Sequence, residues 1–205
     1  MAKKRADDAD VLTNPATGLD PASAVLNQVR VKGSLPPHLW NPPFCGDINM
    51  RIARDGTWFY EGTPIGRPAL VKLFASVLRK EPDRFVLVTP VEKVGIVVED
   101  APFIAVEMVA EEAAGELVLR FRTNVEDWVT AGPEHALRFE AGAAGGLKPY
   151  VQVRGDLWAL VARPVFYDLV ARGSLRTIGG EDMFGIASEG AFFPMAPAGE
   201  IEGLA

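Results

Sequence analysis

A chain of 205 residues with 48% hydrophobic side chains is long enough for two small domains with their own cores, and its composition excludes a disordered chain. The formal net charge of −6 argues against nucleic acid as a bulk partner, because an acidic surface repels backbone phosphates. No apolar run approaches the roughly 18 residues of a membrane span, and a single cysteine, Cys45, excludes an internal disulfide. Basic residues at Met1-Ala-Lys-Lys-Arg5 are not followed by an apolar stretch, so they do not read as a secretory signal, and the expected location is cytoplasmic with no membrane contact.

Residues 1–22 lack any apolar period and read as a mobile tail. Ser23 is placed to cap a short helix with Ala24, Val25, Leu26 and Val29 on one stripe, stopped by Gly33 and Pro36-Pro37. Leu35 to Gly46 contains four prolines, which restrict it to extended and turn conformations, a rigid strap with Leu35, Trp40 and Phe44 left for packing.

Ile48, Met50 and Ile52 alternate with polar or small residues, the period of a half-buried strand. Asp55-Gly56 then signals a hairpin turn leading to a second strand at Trp58. Arg67-Pro68 opens a helix, since proline suits the first turn, and Leu70, Val71, Phe74, Val77 and Leu78 give it one apolar face as far as the break at Glu81-Pro82-Asp83. Phe85 to Thr89 and Lys93 to Val98 read as strands, so the first unit is β-β-α-β-β. From 104 to 139 the alternation at Ile104, Val106 and Met108, then at Leu117, Leu119 and Phe121, predicts an antiparallel run. Ala141 to Gly146 reads as a flexible loop, after which Pro149 to Arg154 resumes a strand.

Three features of the first unit recur in the same order. Arg154-Gly-Asp-Leu-Trp158 lies 100 residues after Arg54-Asp-Gly-Thr-Trp58, and Arg163-Pro164 follows Arg67-Pro68 at an offset of 96. Gly185-Ile-Ala-Ser-Glu-Gly-Ala-Phe-Phe193 aligns without gaps on Gly95-Ile-Val-Val-Glu-Asp-Ala-Pro-Phe103. The shrinking offset is that of a duplication with deletions in loops. The expected fold is therefore α+β, an internal duplication of the β-β-α-β-β unit in two small domains, 23–103 and 104–205, the second mostly antiparallel.

Trp40-Asn-Pro-Pro-Phe-Cys-Gly-Asp47, Asp55-Gly-Thr-Trp-Phe-Tyr60, Gly62-Thr-Pro-Ile-Gly-Arg67, Leu87-Val-Thr-Pro-Val-Glu-Lys93 and Val98-Glu-Asp-Ala-Pro-Phe103 resemble the bacterial family catalogued as domain of unknown function 1285. The match covers most of residues 36–110 and is looser beyond. What the resemblance implies is a duplicated α+β core, a second half superficially like a pleckstrin-homology domain, and a cleft between the halves. It also implies binding of a nucleotide-like ligand in signal transduction, with no established reaction.

Candidate binding residues follow from elementary chemistry. Arg67 and Arg163 stand at helix starts, where free amides and the peptide dipoles attract anions, and in a two-copy protein they are placed to face one cleft. The more ordinary role for each is a hydrogen bond to its neighbouring hairpin. Tyr60 and Tyr150, with Trp58 and Trp158, offer faces for a base, against the ordinary role of strand aromatics in the core. Thr89, Glu92 and Lys93 gather a hydroxyl, a carboxylate and an ammonium in one turn, for phosphate and ribose or for a plain salt bridge. Cys45 with Asp47 and His38 raises a nucleophile or redox reading, but no cysteine-hydrolase signature surrounds it, and a small buried hydrophobe is expected. One cysteine and two distant histidines, His38 and His135, cannot make a zinc set, and adjacent acidic pairs such as Glu99-Asp100 read as surface charges. No cofactor motif is present. The expectation is a binding or signalling module, without catalysis, for a small anionic, nucleotide-like molecule; the alternative is a protein-interaction domain using exposed strand edges.

Overall fold

The computed structural model describes residues 39–142 and 146–203. The tail, the helix capped by Ser23, the start of the strap and His38 lie outside the described residues.

The first half is one six-stranded sheet with a helix on it. Strands β1 (Phe44–Ile52), β2 (Trp58–Tyr60) and β3 (Thr63–Pro64) precede helix α1 (Pro68–Ser76), and β4 (Leu78–Glu81), β5 (Arg84–Val88) and β6 (Lys93–Val98) follow it. The order across the sheet is β3-β2-β1-β6-β5-β4, with β1 and β6 parallel and the other pairs antiparallel. The Asp55-Gly56 turn is as expected: Gly56 sits at φ +81 and donates to Ala53 O at 2.9 Å. Proline opens α1 behind an extended Arg67, and Phe74 is fully buried, stacked on Trp58 with ring centroids 6.2 Å apart.

Two local expectations are corrected. The helix ends at Ser76, not at the Glu81 break, and Leu78–Glu81 is a strand. Pro82-Asp83 makes a tight reversal, so the four residues before it pair with Arg84–Leu87 after it. That ladder takes up backbone groups that a longer helix would have satisfied internally, and Leu78 is buried in either conformation, which is why helical spacing misled. The strap also ends earlier than expected, because Phe44 and Asp47 already pair with β6, with one register shift between them.

The second half holds β7 (Phe103–Ala113), β8 (Glu116–Thr123), β9 (Trp128–Ala131), β10 (Leu137–Ala141), β11 (Leu147–Arg154), β12 (Leu157–Val161), α2 (Arg163–Val170), β13 (Ser174–Ile178), β14 (Glu181–Ser188) and β15 (Ala191–Pro197). Strands β7 to β12 form a sheet in the order β10-β11-β12-β7-β8-β9, antiparallel except for β12 beside β7, and β13-β14-β15 form a third, antiparallel sheet. Buried Ser188 joins these two sheets: its hydroxyl accepts from Leu119 N at 2.9 Å and donates to Ala131 O at 2.6 Å.

The echoed segments occupy matching elements. Both arginine-to-tryptophan stretches are hairpin turns, both Arg-Pro pairs start helices, and Gly95 and Gly185 lie within strands β6 and β14. The pairings differ: β6 lies beside β1, whereas β14 leaves the sheet of β11 and β12, whose parallel neighbour is β7. The fold is α+β in two halves, and one continuous core runs through both, from Trp58 and Phe74 to Phe103, Phe121, Leu169 and Ile186.

Candidate binding site between the halves

Strand β4 of the first half faces the β11–β12 turn of the second, and Arg154 ties them together. Its guanidinium donates to Ala75 O in the last turn of α1 at 2.5 Å and to Asp127 at 2.9 Å, over the Phe103 ring. A cation at a helix C-terminus also meets the negative end of the peptide dipoles. Along this seam run two adjoining clefts that share Lys80 and Asp156. One, about 440 Å³, is lined by Val77, Leu78, Arg79, Lys80, Arg154 and Leu157 among others. The other, about 410 Å³, is lined by Lys80, Glu81, Phe85, Asp100, Arg138 and Trp158 among others.

The polar cleft is built from cross-strand pairs. Lys80 is opposite Phe85 in the β4–β5 ladder, with its ammonium 4.3 Å from the ring centroid. Arg138 is opposite Tyr150, and its guanidinium lies 4.9 Å from that ring and 4.2 Å from Trp158. The carboxylates behind these cations are largely neutralised. Glu81 accepts from Lys93 at 2.9 Å and Arg79 at 2.6 Å, and the Lys93 hydrogen bond foremost holds its carboxyl below the ordinary value despite burial. Asp100, whose side chain is 13% exposed, accepts from Lys148 at 2.5 Å and from the Tyr150 hydroxyl at 2.7 Å. Burial raises its pKa, and the Lys148 and Tyr150 hydrogen bonds outweigh that and lower it. Lys148 is raised by its bond to Asp100, while Tyr150 is raised by burial and then by the same carboxylate. Asp100 is therefore not the surface charge expected of a Glu-Asp turn.

The residues expected to bind are scattered. Lys93 and Tyr150 lie one layer behind the polar cleft, through Glu81 and through Asp100 and Arg138 respectively. Thr89 is buried and closes its own turn, donating to Glu92 O at 3.0 Å and accepting from Glu92 N at 3.1 Å. Tyr60 is half-buried on β2, opposite Met50 and Thr63. Exposed Arg67 precedes α1, whose Lys72 pairs with Glu126, whereas exposed Arg163 donates to Tyr167 Oη at 2.7 Å on α2, a helix packed on β7 and β14. Neither arginine lines the clefts of this seam. Sequence reasoning missed Lys80, Phe85, Arg138 and Asp156; only the Arg154 and Trp158 echo pointed at this seam. Cys45 is exposed rather than buried: it lies at the irregular start of β1, where the pairing with β6 shifts register between Phe44 and Asp47. Among the described residues no group of three or more His, Cys, Asp or Glu side chains could hold a metal ion, and no helix is long and apolar enough to cross a membrane.

Such a molecule is a two-part α+β protein with a polar and aromatic cleft where its parts meet. The chain belongs to the DUF1285 family: residues 35–101 match its N-terminal domain, a domain of unknown function, and residues 102–195 match its C-terminal domain. It is similar to the crystal structure of a DUF1285 family protein from Silicibacter pomeroyi DSS-3, at 51% identity and a TM-score of 0.77, covering 87% of this chain and 97% of that one. A DUF1285 family protein from Shewanella baltica OS155 is 30% identical, with a TM-score of 0.48, over 60% of this chain and 90% of that one. No curated protein matches the sequence.

Proposed function

We propose that the protein is a cytoplasmic binding module, without catalysis of its own, that holds a small anionic, nucleotide-like molecule in the seam between its halves and serves signal transduction. The observation that carries this is the polar cleft walled by both halves, where Lys80 and Arg138 are aimed by Phe85, Tyr150 and Trp158 while Glu81 and Asp100 are already neutralised by Lys93, Arg79 and Lys148. Fixed cations beside occupied carboxylates leave positive charge to offer an anion. Arg138 also reaches Glu140 at 3.2 Å, a surface pair that a bound phosphate would outcompete.

The test is a thermal-stabilisation screen of nucleoside mono-, di- and triphosphates. A ligand at 100 times its dissociation constant adds about 2.7 kcal/mol, and Arg138→Ala should abolish the shift. Stabilisation that persists in Arg138→Ala, or none from any anion, overturns the reading. A second reading rests on β13, an edge strand exposed at all five residues, with Leu175 59% and Ile178 42% exposed. It makes this strand a dock for a protein partner. Proline at Thr177 would then abolish partner capture and leave nucleotide stabilisation intact.

A further inference from the structure

The polar cleft does not end at Lys80. Its companion chamber shares Lys80 and Asp156 with it and has a different chemistry. The chamber's aliphatic walls are Val77, Leu78 and Leu157, and among the described residues no aromatic ring lines it. Its polar groups are mostly committed elsewhere: Arg79 to Trp40 O at 2.7 Å and to Glu81, Arg154 to Ala75 O and Asp127, and the Ser76 hydroxyl to Leu73 O at 2.7 Å. A nucleobase placed there would lose water from its ring edges and find few partners, which is costly, whereas an aliphatic body loses nothing.

We infer that the seam is a bipartite site for an anionic amphiphile, its acidic head between Lys80 and Arg138 and its aliphatic body in the chamber walled by Val77, Leu78 and Leu157. Lys80 marks the junction: it lines both clefts, and its ammonium lies over Phe85 at the polar end. Asp156, exposed and lining both clefts, has no cation partner among the described residues and disfavours a second negative charge, so the head is a single carboxylate rather than a phosphate or polyphosphate. This rests on the seam being a site for a small anion, as proposed above, and replaces the nucleotide-like body of that anion with an aliphatic one.

The probes are the straight-chain carboxylates butanoate, hexanoate, octanoate and decanoate, the matching primary alcohols, and adenosine monophosphate and triphosphate, titrated calorimetrically against the full chain below micelle-forming concentrations. The expected result is affinity rising by about fourfold per methylene until the chamber is full, with the alcohols much weaker than the acids. Ser76→Glu, at an exposed position on the chamber wall, should flatten the chain-length series without unfolding the protein, while Lys80→Met should weaken every carboxylate and preserve the slope. Affinity independent of chain length, with the nucleotides binding at the seam, overturns the amphiphile and leaves the anion site standing. Binding by neither class removes both, and a slope untouched by Ser76→Glu places the aliphatic body elsewhere and overturns the assignment.

Discussion

Gly56 shows how tightly one residue is held between the halves. It sits at φ +81, and a Cβ there would lie 2.7 Å from Asn124 Nδ2 and 2.8 Å from Ile104 Cγ1, both belonging to the second half. Gly56→Ala therefore combines a left-handed backbone with a clash, and the expected cost is about 2 kcal/mol, read from the urea midpoint at constant m-value. Asp100 makes a pH-dependent contribution. Its folded pKa lies below the ordinary aspartate value of about 3.9, so its stabilisation is complete above that value and is lost as pH falls through the depressed one. Asp100→Asn should be less stable than the native chain near neutrality, and the gap should narrow below about pH 4. Equal gaps at pH 7 and pH 3 in urea titrations would show that Lys148 and Tyr150 do not depend on its charge.

Among the elements, the β11–β12 turn does most to place the seam, because Arg154 reaches from it to the end of α1. Arg154→Met removes charge-assisted hydrogen bonds to Ala75 O and Asp127 and should cost about 2 kcal/mol, measured by chemical denaturation. Arg154→Lys should recover little of it, since an ammonium cannot span both partners in the plane of a fork. This turn was legible in advance through its echo of Arg54 to Trp58, as were both Arg-Pro helix starts and the strands of alternating period. Strand β4 was not, because Val77-Leu78 satisfies a helical face and a ladder equally, and only the reversal at Pro82-Asp83 decides between them. The cations of the polar cleft were hidden for a related reason. Lys80 over Phe85 and Arg138 over Tyr150 are cross-strand neighbours, and their meeting depends on register, which residue types alone do not specify. The helix-start arginines stood out by chemistry, yet each answers to its own surroundings, Arg163 to Tyr167 one turn along its helix.

At the scale of the whole molecule, the continuity of the core matters more than the duplication. Trp58 and Phe74 of the first half belong to the same buried cluster as Phe103, Phe121 and Val161 of the second. Unfolding should then be a single cooperative transition, with tryptophan fluorescence, which includes buried Trp58, coinciding with far-ultraviolet dichroism. Two separated transitions would mean that the halves keep independent cores despite their contact.

The parallel pairings also set an order of assembly during synthesis. The first sheet is closed by Ile52 meeting Val98, so every strand it needs has been made before β7 begins. The second sheet cannot close until β12 arrives to lie beside β7, with Ala159 against Phe103, after a long intervening segment has been drawn in. The seam needs β4 from the early sheet and the β11–β12 turn from the late one, so its two walls are made at different times. A growing chain carries one wall first, and the complete site exists only after β12 has been delivered and seated. Ribosome-stalled chains ending before residue 157 should therefore show no ligand-dependent protection from protease, and that protection should appear only once β12 has been released and seated.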